Sequence, residues 1–73
     1  MRRDDNFLKE LSFKIRRIRN QKGISIEKLA YQIEMPFSQV ARIERGEVNP
    51  TIQPIKDIAD ELKVGLSEFL QDA

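Results

Sequence analysis

An all-α fold, a compact bundle of five helices, is what this 73-residue sequence predicts, and three observations carry the expectation. Apolar residues recur at helical spacing in segment after segment. The segments are separated by residues that stop helices, at Gly23, Pro36, Gly46 and Pro50. Residues suited to start helices precede several of them, notably Asp4-Asp5-Asn6, Ser25 and Thr51.

The first helix is expected to start at Asp4-Asp5-Asn6, which can cap it, the acidic Asp4 and Asp5 favouring a helix N-terminus. Leu8, Leu11, Ile15 and Ile18 give it one apolar stripe, and Lys22-Gly23 ends it, since glycine readily takes the left-handed conformation. Ser25 caps the second helix, although Lys28 stands where a capping box needs Glu or Gln. Ile26, Leu29, Ala30 and Ile33 form its buried face. Pro36 forbids a continuous helix and biases Met35 towards extended backbone. A third helix runs from about Phe37 to near Gly46, with Val40, Ala41 and Ile43 inward. Glu47 to Pro50 is a loop and Thr51 the next cap, with Pro54 in the first turn, where its missing amide proton costs little. Ile55, Ile58, Ala59 and Leu62 are the stripe of the fourth helix, and a short fifth helix from Val64-Gly65-Leu66 carries Phe69 and Leu70.

Composition narrows the class. The chain has room for one domain, residues 1–73, with a thin stability margin. It contains no cysteine and no histidine, so disulfides, thiol nucleophiles and the usual zinc ligands are absent. No apolar run approaches the roughly 20 residues that span a bilayer, and a cytoplasmic location is expected. The formal net charge is only +1, but it is unevenly spread. Residues 1–22 hold eight basic side chains against three acidic, residues 23–50 three against four, and residues 51–73 two against five. A basic front and an acidic back suit a protein that presents one face to phosphates. A solvated helical surface gives the same composition without a ligand.

Residues 25–46 hold the functional signal. Two short amphipathic helices flank a break at Glu34-Met35-Pro36, the arrangement of a helix-turn-helix whose second helix can lie in the DNA major groove. No cofactor is implied, and no glycine-rich phosphate loop or paired carboxylates point to an enzyme.

From Leu11 to Leu70 the chain resembles the phage repressor and Cro (Xre) family of helix-turn-helix domains, with residues 1–10 as an extension of helix one. The resemblance rests on Ile15-Arg16-Arg17-Ile18-Arg19, Lys22-Gly23-Ile24-Ser25, Leu29-Ala30, Ile43-Glu44-Arg45-Gly46, Asn49-Pro50-Thr51, Leu62-Lys63-Val64 and Phe69-Leu70. It implies a lambda-repressor-like five-helix domain that binds duplex operator DNA, as a homodimer on a palindromic site, and regulates transcription. Three positions depart from the family pattern. Glu34 stands where the turn usually has glycine, Ile26 where a glutamine usually meets phosphate, and Pro36 where Ser or Thr usually caps the recognition helix.

The resemblance places Phe37, Ser38 and Arg42 at base edges, and Gln39 within reach of a base or a phosphate. Their chemistry suits the role: Arg42 can fork onto guanine, Ser38 can donate or accept, and the Phe37 ring can rest on a thymine methyl. Beside Pro36, Phe37 can equally be a hydrophobic staple or a protein contact. Arg45, Asn49 and the main-chain amides around Gly46 and Glu47 fall where the family's loop meets the DNA backbone. Lys14, Arg16 and Arg17, with Arg2 and Arg3, are broader electrostatic candidates. The family pairs Arg19 with Glu44, a structural role, and places dimer contacts at Val64, Leu66 and Leu70. The competing class is a protein-interaction module bound to a toxin or regulator, with Phe13, Ile26 and Phe37 as its anchors.

Overall fold

Five helices follow one another through the computed structural model, which describes the backbone of residues 3–70 and the side chains of residues 6–69. They are α1 (Arg3–Gln21), α2 (Ile26–Gln32), α3 (Phe37–Glu44), α4 (Ile52–Leu62) and α5 (Leu66–Leu70), with no strand among the described residues. The side chains of Arg2, Arg3, Asp4, Asp5 and Leu70, all singled out in the sequence, lie outside the described set.

The apolar stripes converge on one core. Leu11 and Ile15 enter it from α1, Leu29 and Ala30 from α2, Val40 and Ile43 from α3, and Ile55, Ile58, Ala59 and Leu62 from α4, while Phe69 of α5 closes it. Burying a Leu, Ile, Val or Phe side chain contributes about 1.5–3 kcal/mol, and this set replaces the staples the chain lacks. Ile18, Ile26, Ile33, Val64 and Leu66 pack against the core edge and are half-buried. Among the described residues no helix is long and apolar enough to cross a membrane.

Helix ends show where local chemistry and outcome agree or part. Ser25 caps α2: its Oγ accepts from the Lys28 amide at 3.0 Å. Thr51 occupies the cap position of α4 with extended backbone, but its hydroxyl makes no capping bond. Pro36 starts α3 and offers no side-chain acceptor. Helix α1 begins at Arg3, so Asp4, Asp5 and Asn6 lie inside its first turns rather than ahead of it, a correction to the expected start.

The first four helices share one closure. In each, a left-handed residue follows the last turn, and it and its successor donate amides back to the helix. Gly23 donates to Asn20 O and Ile24 to Arg19 O; Glu34 donates to Tyr31 O and Met35 to Ala30 O. Gly46 donates to Ile43 O and Glu47 to Arg42 O; Lys63 donates to Asp60 O and Val64 to Ala59 O. Two of these left-handed positions carry a side chain: Glu34 at φ 58° and Lys63 at φ 62°. The turn of the motif therefore keeps the left-handed geometry in spite of lacking glycine, at a cost in backbone strain.

Candidate nucleic-acid interface

Helix α3 buries one face and shows the other. Val40, Ala41, Ile43 and Glu44 are buried, which turns Ser38 and Arg42 outward. Arg45 follows Arg42 by three residues and Ser38 by seven, so the three side chains share one helical stripe. Gln39 and Phe37 are exposed on either side, Phe37 at 51 %. Beyond the helix, Asn49 and Thr51 line a groove whose other wall is Ser38, Gln39 and Arg42.

The position of α3 is set by a buried ion pair. Arg19 Nε donates to Glu44 Oε2 at 2.6 Å and Nη2 donates to Oε1 at 2.9 Å, while Nη1 donates to the Ile24 carbonyl at 2.8 Å. The side chains are 10 % and 2 % exposed. Arg16 adds a second tie, its Nη1 donating to the Glu44 carbonyl at 3.3 Å. That bond brings a guanidinium to the C-terminal end of α3, where carbonyls carry partial negative charge. Arg17 points elsewhere, its guanidinium 6.0 Å from the centre of the exposed Phe13 ring. Arg16 and Arg17, paired in the sequence reading, thus have different neighbours. Ile26 is half-buried against the core, and Phe13 is exposed.

In the loop after α3 the amides of Gly46 and Glu47 are donated to Ile43 O and Arg42 O, both at 3.0 Å, in closing the helix. The Glu47 side chain turns onto Arg45: Nε donates to Oε2 at 2.8 Å and Nη2 donates to Oε1 at 3.2 Å. This bond, with the nearby positive charges of Arg45 and Arg42, holds the Glu47 carboxyl below the usual carboxylate range. The same hydrogen bond raises Arg45 above its ordinary value. Sequence reasoning missed the pair. Its signal is an acid two residues beyond an arginine across a left-handed glycine.

The dimer positions divide. Val64 and Leu66 are half-buried and pack against the core edge, so each has one side committed to the fold. Leu70 falls outside the described side chains. Among the described residues no group of His, Cys, Asp and Glu is arranged to hold a metal.

Comparison with known proteins agrees with the five-helix fold. The chain is 32 % identical over 66 residues to the HTH-type transcriptional regulator SutR of Escherichia coli, a match covering 90 % of the chain and 37 % of SutR. It is 40 % identical over 56 residues to the HTH-type transcriptional regulator SlrR of Bacillus subtilis, covering 75 % of the chain and 37 % of SlrR. The chain therefore spans little more than a third of either regulator. Among solved structures it is similar to the restriction-modification controller protein C.Esp1396I, seen as a tetramer in complex with its natural 35 base-pair operator. That likeness has a TM-score of 0.80 and 34 % identity, over 89 % of this chain and 86 % of the controller. A hypothetical transcription factor from Neisseria, NHTF, matches with a TM-score of 0.85 and 28 % identity, over 92 % of this chain and 77 % of that one. The helix-turn-helix family model HTH_3 matches residues 15–69, and the chain belongs to this Cro/C1-type helix-turn-helix family.

Proposed function

We propose that this chain is a sequence-specific, double-stranded-DNA-binding module of a transcriptional regulator, working as a homodimer on an inverted repeat. The observation that carries the reading is the outward stripe of Ser38 and Arg42 on α3, continued by Arg45 at its C-cap. A hydroxyl and two guanidiniums on one face of an exposed helix suit base edges and phosphates in a major groove. Arg42, Ser38, Phe37 and Gln39 face bases in this reading. Arg45, Asn49, Arg16 and Arg17 supply contacts or long-range attraction to the backbone. The likeness to a controller protein in complex with its operator supports the DNA-binding reading.

One recognition helix reads only a few base pairs, so useful specificity needs two copies about 34 Å apart, one turn of DNA. Selection of binding sites from random duplex DNA, followed by sequencing, tests the proposal. An enriched inverted repeat with half-sites one turn apart is the expected result. The absence of any enriched sequence, with capture of a protein partner insensitive to salt, would overturn it in favour of an interaction module.

A further inference from the structure

We propose that the Glu47 carboxylate is a built-in competitor of DNA phosphate for Arg45, holding its guanidinium in the free protein and yielding it only when a phosphate displaces it. The inference rests on the DNA-binding reading and deepens it by assigning a role to an acidic side chain on the face expected to meet a polyanion.

Three observations lead there. First, the fork is occupied: Glu47 takes the Nε and Nη2 edge of Arg45 with two hydrogen bonds, at 2.8 and 3.2 Å. A phosphate would bind that same planar edge in the same bidentate way. Second, the carboxylate lies beside the recognition stripe. Arg45 first, and Arg42 to a lesser degree, hold the Glu47 carboxyl down, so it sits within reach of both charges. Third, the fold does not need this side chain. The helix closure uses the main-chain amide of residue 47, donated to Arg42 O, and Arg45 and Glu47 are 55 % and 51 % exposed, with no place in the core.

An exposed pair of this kind stabilises a fold only slightly. It is weak enough for phosphate to displace and strong enough to subtract from backbone affinity. One anionic partner replaces another on Arg45, so the net gain is smaller than for a free guanidinium. Glu47 thereby restrains attraction that carries no sequence information, leaving base contacts a larger share of the binding free energy.

The test is fluorescence anisotropy with a labelled random-sequence duplex, using the full chain and a double-mutant cycle. Glu47→Gln keeps the size of the side chain and removes its charge. It should tighten binding about two- to fivefold, the worth of one exposed ion pair. In the Arg45→Ala background the same substitution should give little or no gain, since the competition needs both partners. Thermal melts followed by circular dichroism check that all four proteins are folded. An equal gain in both backgrounds overturns the inference, because Glu47 then acts only through net charge. No gain in either background also overturns it, because Arg45 then meets no phosphate. A wild-type protein that binds neither random nor selected duplexes overturns the DNA-binding reading, and this inference with it.

Discussion

Arg19 grips both carboxylate oxygens of Glu44 across 25 residues of sequence, and its third nitrogen holds the Ile24 carbonyl. One guanidinium thus joins the last turn of α1, the turn before α2 and the end of the recognition helix. The pair is buried, so it fixes the angle at which α3 leaves the core more surely than it adds net stability. Glu44→Ala leaves the Arg19 charge with one carbonyl in a site almost closed to water. The expected loss is about 3–5 kcal/mol, large for a small domain whose whole stability is of the same order. Replacing Arg19 and Glu44 together should recover part of it in a double-mutant cycle. Chemical denaturation curves decide the matter, and a midpoint unchanged by Glu44→Ala would show that the pair holds nothing in solution.

The four left-handed helix closures give a second prediction, with opposite signs at different positions. Glu34→Gly and Lys63→Gly relieve a side chain held at positive φ, and each should stabilise by about 0.5–1 kcal/mol. Gly23→Ala and Gly46→Ala should each destabilise, because both glycines have positive φ. An added Cβ at Gly46 would lie at ordinary contact distance, 3.4 Å from Ser12 Oγ and 3.6 Å from the Leu8 carbonyl, and at Gly23 it meets nothing within 4 Å, so backbone strain rather than crowding sets the cost at both. Melting temperatures of the four variants test the signs. An alanine variant as stable as wild type would show that its closure does not hold the left-handed conformation in solution.

These closures also mark how far sequence reasoning reaches. Helical periodicity located every buried stripe, because Val40 and Ile43 cannot point inward without turning Ser38 and Arg42 outward. Gly23 and Gly46 were legible as helix ends, since glycine takes positive φ without penalty. Lys63 was not, because nothing local distinguishes a lysine that closes a helix from one that continues it. Thr51 had the right chemistry and the right backbone, yet its side chain makes no capping hydrogen bond. Glu47 was hardest. Its spacing from Arg45 was visible, but the pairing depends on the direction the chain takes beyond left-handed Gly46, which the spacing alone does not fix.

The Arg45–Glu47 pair gives a pH signature. The Glu47 pKa in the folded protein is depressed, so the contribution of the pair is fully present above the unfolded value, about 4.3 for glutamate. It is lost as the pH falls through the lower, folded value. Carboxyl-carbon NMR titration should therefore find Glu47 below the ordinary glutamate range. Arg45→Ala should bring it back up, Arg45 being the first and strongest cause. A titration curve indifferent to Arg45→Ala would show that the two side chains do not pair in solution.

Arg42→Ala is the sharpest test of base readout. If Arg42 forks onto guanine, its loss should cost about 1–3 kcal/mol and be confined to one base pair of each half-site. Ser38→Ala should act at a neighbouring position with a smaller effect. Site-selection profiles of the two variants check this. A uniform drop across all sequences would assign Arg42 to phosphate, leaving specificity to the residues around it.

Dimerisation is tested at α5. Leu66 packs against the core edge but is only half-buried, so part of its apolar surface remains available to a second copy. Val64, also half-buried, lies two residues before it and can extend the same patch. Leu66→Glu should abolish cooperative binding to a two-half-site operator, while binding to an isolated half-site stays near the wild-type level. Because Leu66 also touches the core, the milder Leu66→Ser separates the roles. It should melt at a temperature close to wild type yet still lose cooperativity. Sedimentation at rising concentration, with and without the operator, reads the association directly. Cooperative binding retained by folded Leu66→Glu would place the subunit contact elsewhere. Loss of the fold in both variants would assign Leu66 to the core and leave Val64 as the position to test.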